Sequence, residues 1–378
     1  MTQRVIITQR RLTHYRIAFF EALKLELEKR GVQLILVYGQ PDPSEIIRND
    51  AGNIDWAICV KNLYFKIGGK YIVFQPNPIN FNKSDLVVLT QENSIISNYF
   101  YLLYRFFLSR KVAFWGHGAN LQSHKPNGLK EVFKRWTTNQ VDWWFAYTQM
   151  SADLVKAAGF PLNKITVLNN SFDTSDLQRQ RQTITPNETM SLRELLGFGQ
   201  GPVGVFVGSL YADKRLDFLF SAAETIRLKI PDFHLLIIGE GNERDKVQAW
   251  CAAHPWARWV GARMGREKTA YVSVAQVMLN PGLVGLGILD SFVYEVPMLT
   301  TDCGLHSPEI SYLSDGVNGI MTANDLNSYV SSCISVLNNP SILELLKNGC
   351  RVCVQEYTVE NMARRFADGI IQATLKIS

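Results

Sequence analysis

Two polar side chains in the second half of this 378-residue chain stand where their chemistry would matter. Lys214 lies in Gly208-Ser-Leu-Tyr-Ala-Asp-Lys-Arg-Leu-Asp217, which closes an apolar strand and opens a helix. An ammonium at such a turn either neutralises a diphosphate or is simply a solvated lysine. Asp290 lies in Asn280-Pro-Gly-Leu-Val-Gly-Leu-Gly-Ile-Leu-Asp-Ser-Phe-Val-Tyr-Glu-Val-Pro297. There Val277-Met-Leu279 has strand character and Pro281 and Gly282 break the backbone. Leu286, Leu289, Phe292 and Val293 then recur at helical spacing. A glycine-bearing turn into a helix leaves unpaired amides that suit a phosphate. Asp290, within the first two turns, either accepts hydrogen bonds from sugar hydroxyls or favours the helix dipole. A third candidate is His117, between two glycines in Phe114-Trp-Gly-His-Gly-Ala-Asn120: glycines let a ligand approach the backbone closely, and a lone histidine there is either a ligand contact or structural.

Other signals are weaker or absent. Gly239-Glu-Gly-Asn-Glu243 follows a strand but lacks the third glycine of a dinucleotide fingerprint, so it reads as a turn and disfavours a Rossmann dehydrogenase. Glu92, in Thr90-Gln-Glu-Asn93, either faces a cleft or caps the next helix. The chain has no G-x-x-x-x-G-K-[ST] loop, no G-x-S-x-G elbow and no D-x-D pair for a metal-bound sugar nucleotide. Six cysteines show no disulfide spacing, and Cys350-x-x-Cys353 has no second pair to complete a zinc site, so free thiols are expected.

These residues need a scaffold, and the length implies two domains. Hydrophobic content of 47% with 19% charged residues describes a globular protein, without an apolar run long enough to span a bilayer or a signal-peptide core. A cytoplasmic location is expected. The net charge of +5 is uneven: residues 1–185 hold 23 Lys and Arg against 14 Asp and Glu, and the remainder holds 16 against 20. A basic first half could face an anionic membrane surface, an anionic acceptor, or nothing in particular. The aromatic and basic stretch 98–111 reads either as a membrane-interface segment or as a buried crossover helix.

Val5–Thr8, Gln33–Tyr38, Asp85–Leu89, Lys111–Trp115, Trp143–Ala146 and Ile165–Leu168 read as strands with helical patterns between them. Thr13 is placed to cap the first helix. Residues 174 to 202 are polar and lack a sustained apolar period, which predicts a linker over 179–200. The alternation restarts with Val203–Val207, a helix over about 216–228, and Phe233–Ile238. The pattern predicts two doubly wound α/β domains.

The ordered pieces resemble the retaining glycosyltransferase family 4, of GT-B architecture. They are Val207-Gly-Ser-Leu with Lys214-Arg-Leu-Asp, Ile238-Gly-Glu-Gly-Asn-Glu, Trp259-Val-Gly, the Leu279–Leu286 turn, Asp290-Ser-Phe, Val296-Pro, Ser307-Pro-Glu-Ile and Asp315-Gly-Val-Asn-Gly319. Gly159-Phe-Pro and Val167-Leu-Asn-Asn-Ser-Phe-Asp173 match in the first half. The resemblance implies two Rossmann-like domains facing across a cleft. An acceptor-side domain over 1–178 and the linker precede a nucleotide-sugar domain over 201–356, and the helix over 357–378 packs back on the first. It implies metal-free transfer, with retention, from a UDP- or GDP-sugar to a saccharide or lipid-linked acceptor in surface polysaccharide assembly, on or near the inner face of a membrane.

The same resemblance assigns His117, Lys214 and Arg215 to catalysis. It assigns Gly208, Ser209, Gly261, Met264, Gly282, Leu283, Val284, Gly285, Leu286, Asp290 and Arg11 to donor binding. The family's E-x(7)-E pattern departs here: its second glutamate falls on Asp290 and its first on Gly282, while Ser209 stands where arginine is common. A GT-B sugar-nucleotide epimerase, or a non-catalytic sugar- or nucleotide-binding protein, are the alternatives.

Overall fold

The computed structural model describes residues 3–43, 45, 50–79, 83–108, 110–118 and 136–375. Ala119 and Asn120 of the glycine–histidine turn lie outside them. The chain divides into two compact units, Met1–Asp173 with Thr358–Ser378, and Thr174–Tyr357.

Unit 1 is built on a seven-stranded parallel sheet of order β3-β2-β1-β6-β7-β8-β9. Its strands are β1 (Gln3–Gln9), β2 (Val32–Gly39), β3 (Ile58–Val60), β6 (Leu86–Thr90), β7 (Lys111–Gly116), β8 (Trp143–Ala146) and β9 (Ile165–Val167). Runs such as Leu86-Val-Val-Leu89 are apolar at every position because both faces of a parallel sheet are covered. An antiparallel hairpin, β4 (Leu63–Ile67) with β5 (Lys70–Phe74), stands apart from the sheet. Neither it nor β3 was expected from the sequence; all three are half exposed and carry no buried run.

The helix Val359–Thr374 belongs to this unit, although 184 residues of the other lie between it and the rest. Its Phe366 stacks on Phe145 with centroids 4.2 Å apart and touches Phe19 and Trp115. Burying one such ring contributes roughly 3 kcal/mol, enough to hold a chain end in place. Thr13 extends into a short 3-10 turn and makes no capping hydrogen bond, so the first helix begins at Ile17.

Unit 2 has a six-stranded parallel sheet of order β12-β11-β10-β13-β14-β15. The strands are β10 (Val203–Val207), β11 (His234–Ile238), β12 (Ala257–Trp259), β13 (Val277–Leu279), β14 (Met298–Thr301) and β15 (Gly319–Thr322). Strand order reverses between β10 and β13, the point where open α/β sheets bind ligands beyond their carboxyl ends.

The expected linker over 179–200 is instead largely helical, as Ser175–Thr183 and Pro186–Leu195. Neither helix contains a fully buried residue, so no apolar period marks them. They dock through polar contacts: Arg181 with Glu295, and Arg266 with Glu188.

The turn after β13 lies against the turn after β10. Leu283 N–H donates to the Asp213 carbonyl at 2.8 Å. A Cβ at Gly282 would sit 2.4 Å from the Asp213 oxygen and 2.5 Å from the Lys214 carbonyl carbon. Gly282→Ala therefore forces backbone apart and is expected to lower unit stability by about 1–3 kcal/mol in chemical denaturation. Gly199→Ala, where no atom lies within 4 Å, should be neutral and serves as the control.

Candidate functional site

A cavity of 420 Å³ opens at the reversal point of unit 2. Gly208 and Ser209 follow β10, Gly239 and Glu240 follow β11, and Asn280, Gly285, Gly287 and Asp290 follow β13. Arg263 and Lys268 reach it from beyond β12, and Tyr211 and Lys214 complete it. Three cations (Lys214, Arg263, Lys268) face two carboxylates (Glu240, Asp290), an excess that suits an anion. A larger cavity of 690 Å³ in unit 1 is lined by aromatic, aliphatic and neutral polar residues without a charged group, so it cannot serve a diphosphate.

Lys214 is 9% exposed, and its ammonium donates to the Leu283 carbonyl at 2.5 Å. Burial pulls its pKa down to about 8, against the opposing charges of Asp213 and Cys303. An ammonium held this way has two further N–H donors and little water to compete for them.

Asp290 is 7% exposed and accepts two hydrogen bonds from the Lys268 ammonium, at 2.9 and 2.7 Å. Lys268 also lies 5.7 Å above the Tyr294 ring. Two residues thus act as one unit, because removing either leaves a poorly solvated charge.

His306 fixes the turn between them. Val284 N–H donates to its Nδ1 at 3.1 Å, and its Nε2 lies 2.7 Å from the Thr301 carbonyl. A carbonyl can only accept, so the proton resides on Nε2 and the imidazole is neutral. The Val284 amide is therefore engaged, as is that of Leu283. Among the described residues no acceptor meets the amides of Gly285 and Leu286, which precede the helix Ile288–Tyr294; of the two residues Gly285 lines the cavity.

The residues expected at a site are thus only partly gathered. Gly208, Ser209, Lys214, Gly285 and Asp290 line one cavity. Gly282, Leu283 and Val284 shape it from behind, and Leu286 begins the turn into the helix. Gly261 accepts from Gly239 N–H at 2.9 Å and supports the floor, whereas Met264 is 78% exposed and outside the lining. Arg215, in the left-handed region at φ 55°, turns its guanidinium away to Pro281 O, Thr301 Oγ1 and Asn324 Oδ1.

Arg11 and His117 belong to unit 1. Arg11 is paired with Asp50 at 2.6 Å and Glu45 at 3.5 Å. His117 is exposed just after β7, its ring 4.4 Å from Tyr147. Glu92 pairs with Arg10 at 2.9 Å. Lys268, Arg263 and His306 were not anticipated. Nothing local marks them, since only the strand order brings Arg263 and the helix Gly265–Val272 after β12, and His306 after β14, beside the turn after β13.

Residues 201–339 match the family model described as glycosyl transferases group 1. No curated protein sequence matches the chain. Among solved structures, Alr3699/HepE from Anabaena in complex with UDP superposes with a TM-score of 0.68 at 13% identity, covering 98% of this chain and 100% of that one. The lipopolysaccharide outer core galactosyltransferase WaaB gives 0.66 at 14%, covering 98% and 99%. A structure described as a putative UDP-N-acetylglucosamine 2-epimerase from Listeria monocytogenes gives 0.60 at 13%, covering 98% and 96%. At such identities the likeness establishes architecture: this chain has the GT-B fold, two Rossmann-like parallel-sheet units, with a glycosyl transferases group 1 match over most of the second.

Proposed function

We propose that this protein is a glycosyltransferase that takes its sugar from a UDP- or GDP-linked donor, with retention and without a metal ion. The observation that carries this reading is the buried Lys214 ammonium sharing a cavity with the Lys268–Asp290 pair at the reversal point of the sheet. The group 1 match covers the residues that build that cavity, and a structural neighbour is described as bound to UDP-glucose. A saccharide or lipid-linked acceptor in surface polysaccharide assembly is the pathway we favour, supported by the outer core galactosyltransferase among the neighbours.

In this mechanism negative charge builds on the β-phosphate as the sugar leaves. Lys214 and the free amides of Gly285 and Leu286 stabilise it, in a setting dry enough to make each interaction strong. Asp290 accepts from the ribose hydroxyls, and Lys268 holds its carboxylate in place. No side chain of the cavity is needed as a nucleophile. An epimerase would instead need a pair of free carboxylates as acid and base, and of the two in the cavity Asp290 is tied to Lys268, leaving Glu240 alone. Product analysis separates the two, since an epimer of the donor would appear without any acceptor.

Lys214→Ala is expected to reduce transfer at least a hundredfold with the melting temperature kept, because a desolvated charge is lost from the free protein. Asp290→Ala should weaken UDP or GDP binding by about tenfold in calorimetry, and an unchanged dissociation constant would remove Asp290 from the site.

The Lys214 shift also sets a pH dependence. Its pKa of about 8 in the folded protein lies below the ordinary 10.5, so the unfolded chain holds the proton more tightly. Free-protein stability accordingly rises with pH across that window. Nucleotide affinity runs the other way, because binding requires the charged form. UDP affinity should fall by about tenfold per pH unit above 8, and Lys214→Ala should flatten the profile.

Membrane contact through unit 1 completes the reading. On the helix Ile96–Leu108 only one face is buried, while Phe100, Leu103, Tyr104, Phe106 and Phe107 are exposed. Leu63, Phe65 and Ile67 on β4 are exposed too. Residues 61–84 contain four lysines and no acid, and residues 94–111 contain Arg105, Arg110 and Lys111 and no acid. Arg105 is paired with Asp142 at 2.7 Å, so the lysines of residues 61–84, beside exposed apolar side chains, are the cations that suit an anionic bilayer. Flotation with phosphatidylglycerol vesicles should carry the wild type, and Phe106→Ser with Phe107→Ser should leave it in solution.

A further inference from the structure

The loop after β1 carries three arginines with different surroundings. Arg10 meets Glu45 at 2.7 Å, Glu92 at 2.9 Å and Asp42 at 3.8 Å, and Arg11 meets Asp50 and Glu45. Arg16, a few residues on, is 5% exposed, and among the described residues no carboxylate lies within 4 Å of it. Its contacts are aromatic. The guanidinium carbon lies 5.1 Å from the Tyr15 ring centroid, 5.2 Å from Trp115, 5.5 Å from Tyr147 and 5.9 Å from Phe19. Among the described residues the guanidinium makes one hydrogen bond, from Nη1 to the Met362 sulfur at 3.8 Å, a poor acceptor. Trp115 adds a second orphan donor, since its buried Nε1 has no partner.

A buried cation is normally matched by an anion, because the ring faces replace only part of its hydration. Among the described residues no oxygen accepts from the Arg16 guanidinium, whose Nη1 is turned to the Met362 sulfur, and the neighbouring Trp115 indole N–H has no partner. Cation–π contacts engage the face of the guanidinium and not the edge where its donors lie. Trp115 lies near the carboxyl end of β7, and Tyr147 meets His117 edge-to-face just beyond it.

We infer that unit 1 has an oxyanion site in which Arg16, caged by Tyr15, Phe19, Trp115 and Tyr147, binds a phosphate or carboxylate group of a ligand. The planar fork matches either oxyanion bidentately. This inference does not rest on the donor reading, since the site and Lys214 lie in different units.

Isothermal titration of the full chain with sodium pyrophosphate and with D-glucuronate tests it, with glucose as the neutral control. Wild type should bind at least one of the two oxyanions saturably at millimolar concentration, and the tighter one identifies phosphate or carboxylate as the group recognised. Arg16→Met should weaken that binding by at least about tenfold. Lys214→Ala should leave this site intact, which separates it from any pyrophosphate binding in unit 2. Arg16→Met should melt no lower than wild type, because an uncompensated buried charge is replaced by an apolar chain of similar length. Should Arg16→Met fail to fold, Arg16→Lys takes its place and is expected to bind the same oxyanion more weakly, having lost the fork. Absence of saturable binding in the wild type, or equal affinity in the Arg16 variant, would overturn the site.

Discussion

Everything distinctive about the cavity in unit 2 follows from two turns whose backbones touch. The turn after β13 lies on the turn after β10 so closely that position 282 has no room for a Cβ. That contact brings the Leu283 carbonyl to the Lys214 ammonium and the Leu283 amide to the Asp213 carbonyl. It also buries Lys214, and burial rather than any neighbouring charge sets the lysine's acidity. Arg215 secures the same contact from the far side by reaching Pro281, Thr301 and Asn324. A non-glycine residue in the left-handed region costs about 1 kcal/mol, which those bonds offset.

What could be read in the sequence follows physical lines. Strands buried on both faces, such as β6, β10 and β13, announce themselves as unbroken apolar runs, and their positions agree with expectation to within a residue or two. The helices Ser175–Thr183 and Pro186–Leu195 did not, because no face of either is fully buried. Periodicity reports burial, and a helix docked by Arg181 and Glu188 offers none to report. Among site residues, Lys214 and Asp290 were legible because each sits at the end of a recognisable strand-to-helix turn. Lys268 sits in a helix whose relation to Asp290 exists only once β12, β11, β10 and β13 are side by side. His306 is five residues past β14, and its role depends on a tautomer that no sequence pattern carries.

Charge composition does not by itself say which cations are available to a ligand. The first half of the chain carries an excess of nine cations, yet the two most suggestive, Arg10 and Arg11, are held internally by Asp42, Glu45, Asp50 and Glu92. Arg10 in turn pulls the Glu45 carboxyl down to about 2. The excess that remains is distributed differently: some lies on the lysine-bearing hairpin of β4 and β5, and one charge lies inside, on Arg16. Net charge therefore says that anions are favoured somewhere, while only pairing geometry says where.

The replacement of a glutamate by Gly282 can now be weighed as physics. A glutamate there would need its Cβ within 2.4 Å of the Asp213 oxygen, so the carboxylate is sterically excluded by the contact that seats Lys214. Relative to the two-carboxylate pattern the chain resembles, one negative charge is gone, and the remaining one on Asp290 is balanced by Lys268. In the proposed reading the cavity therefore grips the diphosphate more through charge and the sugar less through carboxylate-to-hydroxyl bonds. Selection among sugars then rests on the Gly285 and Leu286 amides and on cavity shape. Amides donate but do not accept, so they can reward an oxygen in the right place, whereas a carboxylate would also have counted its protons.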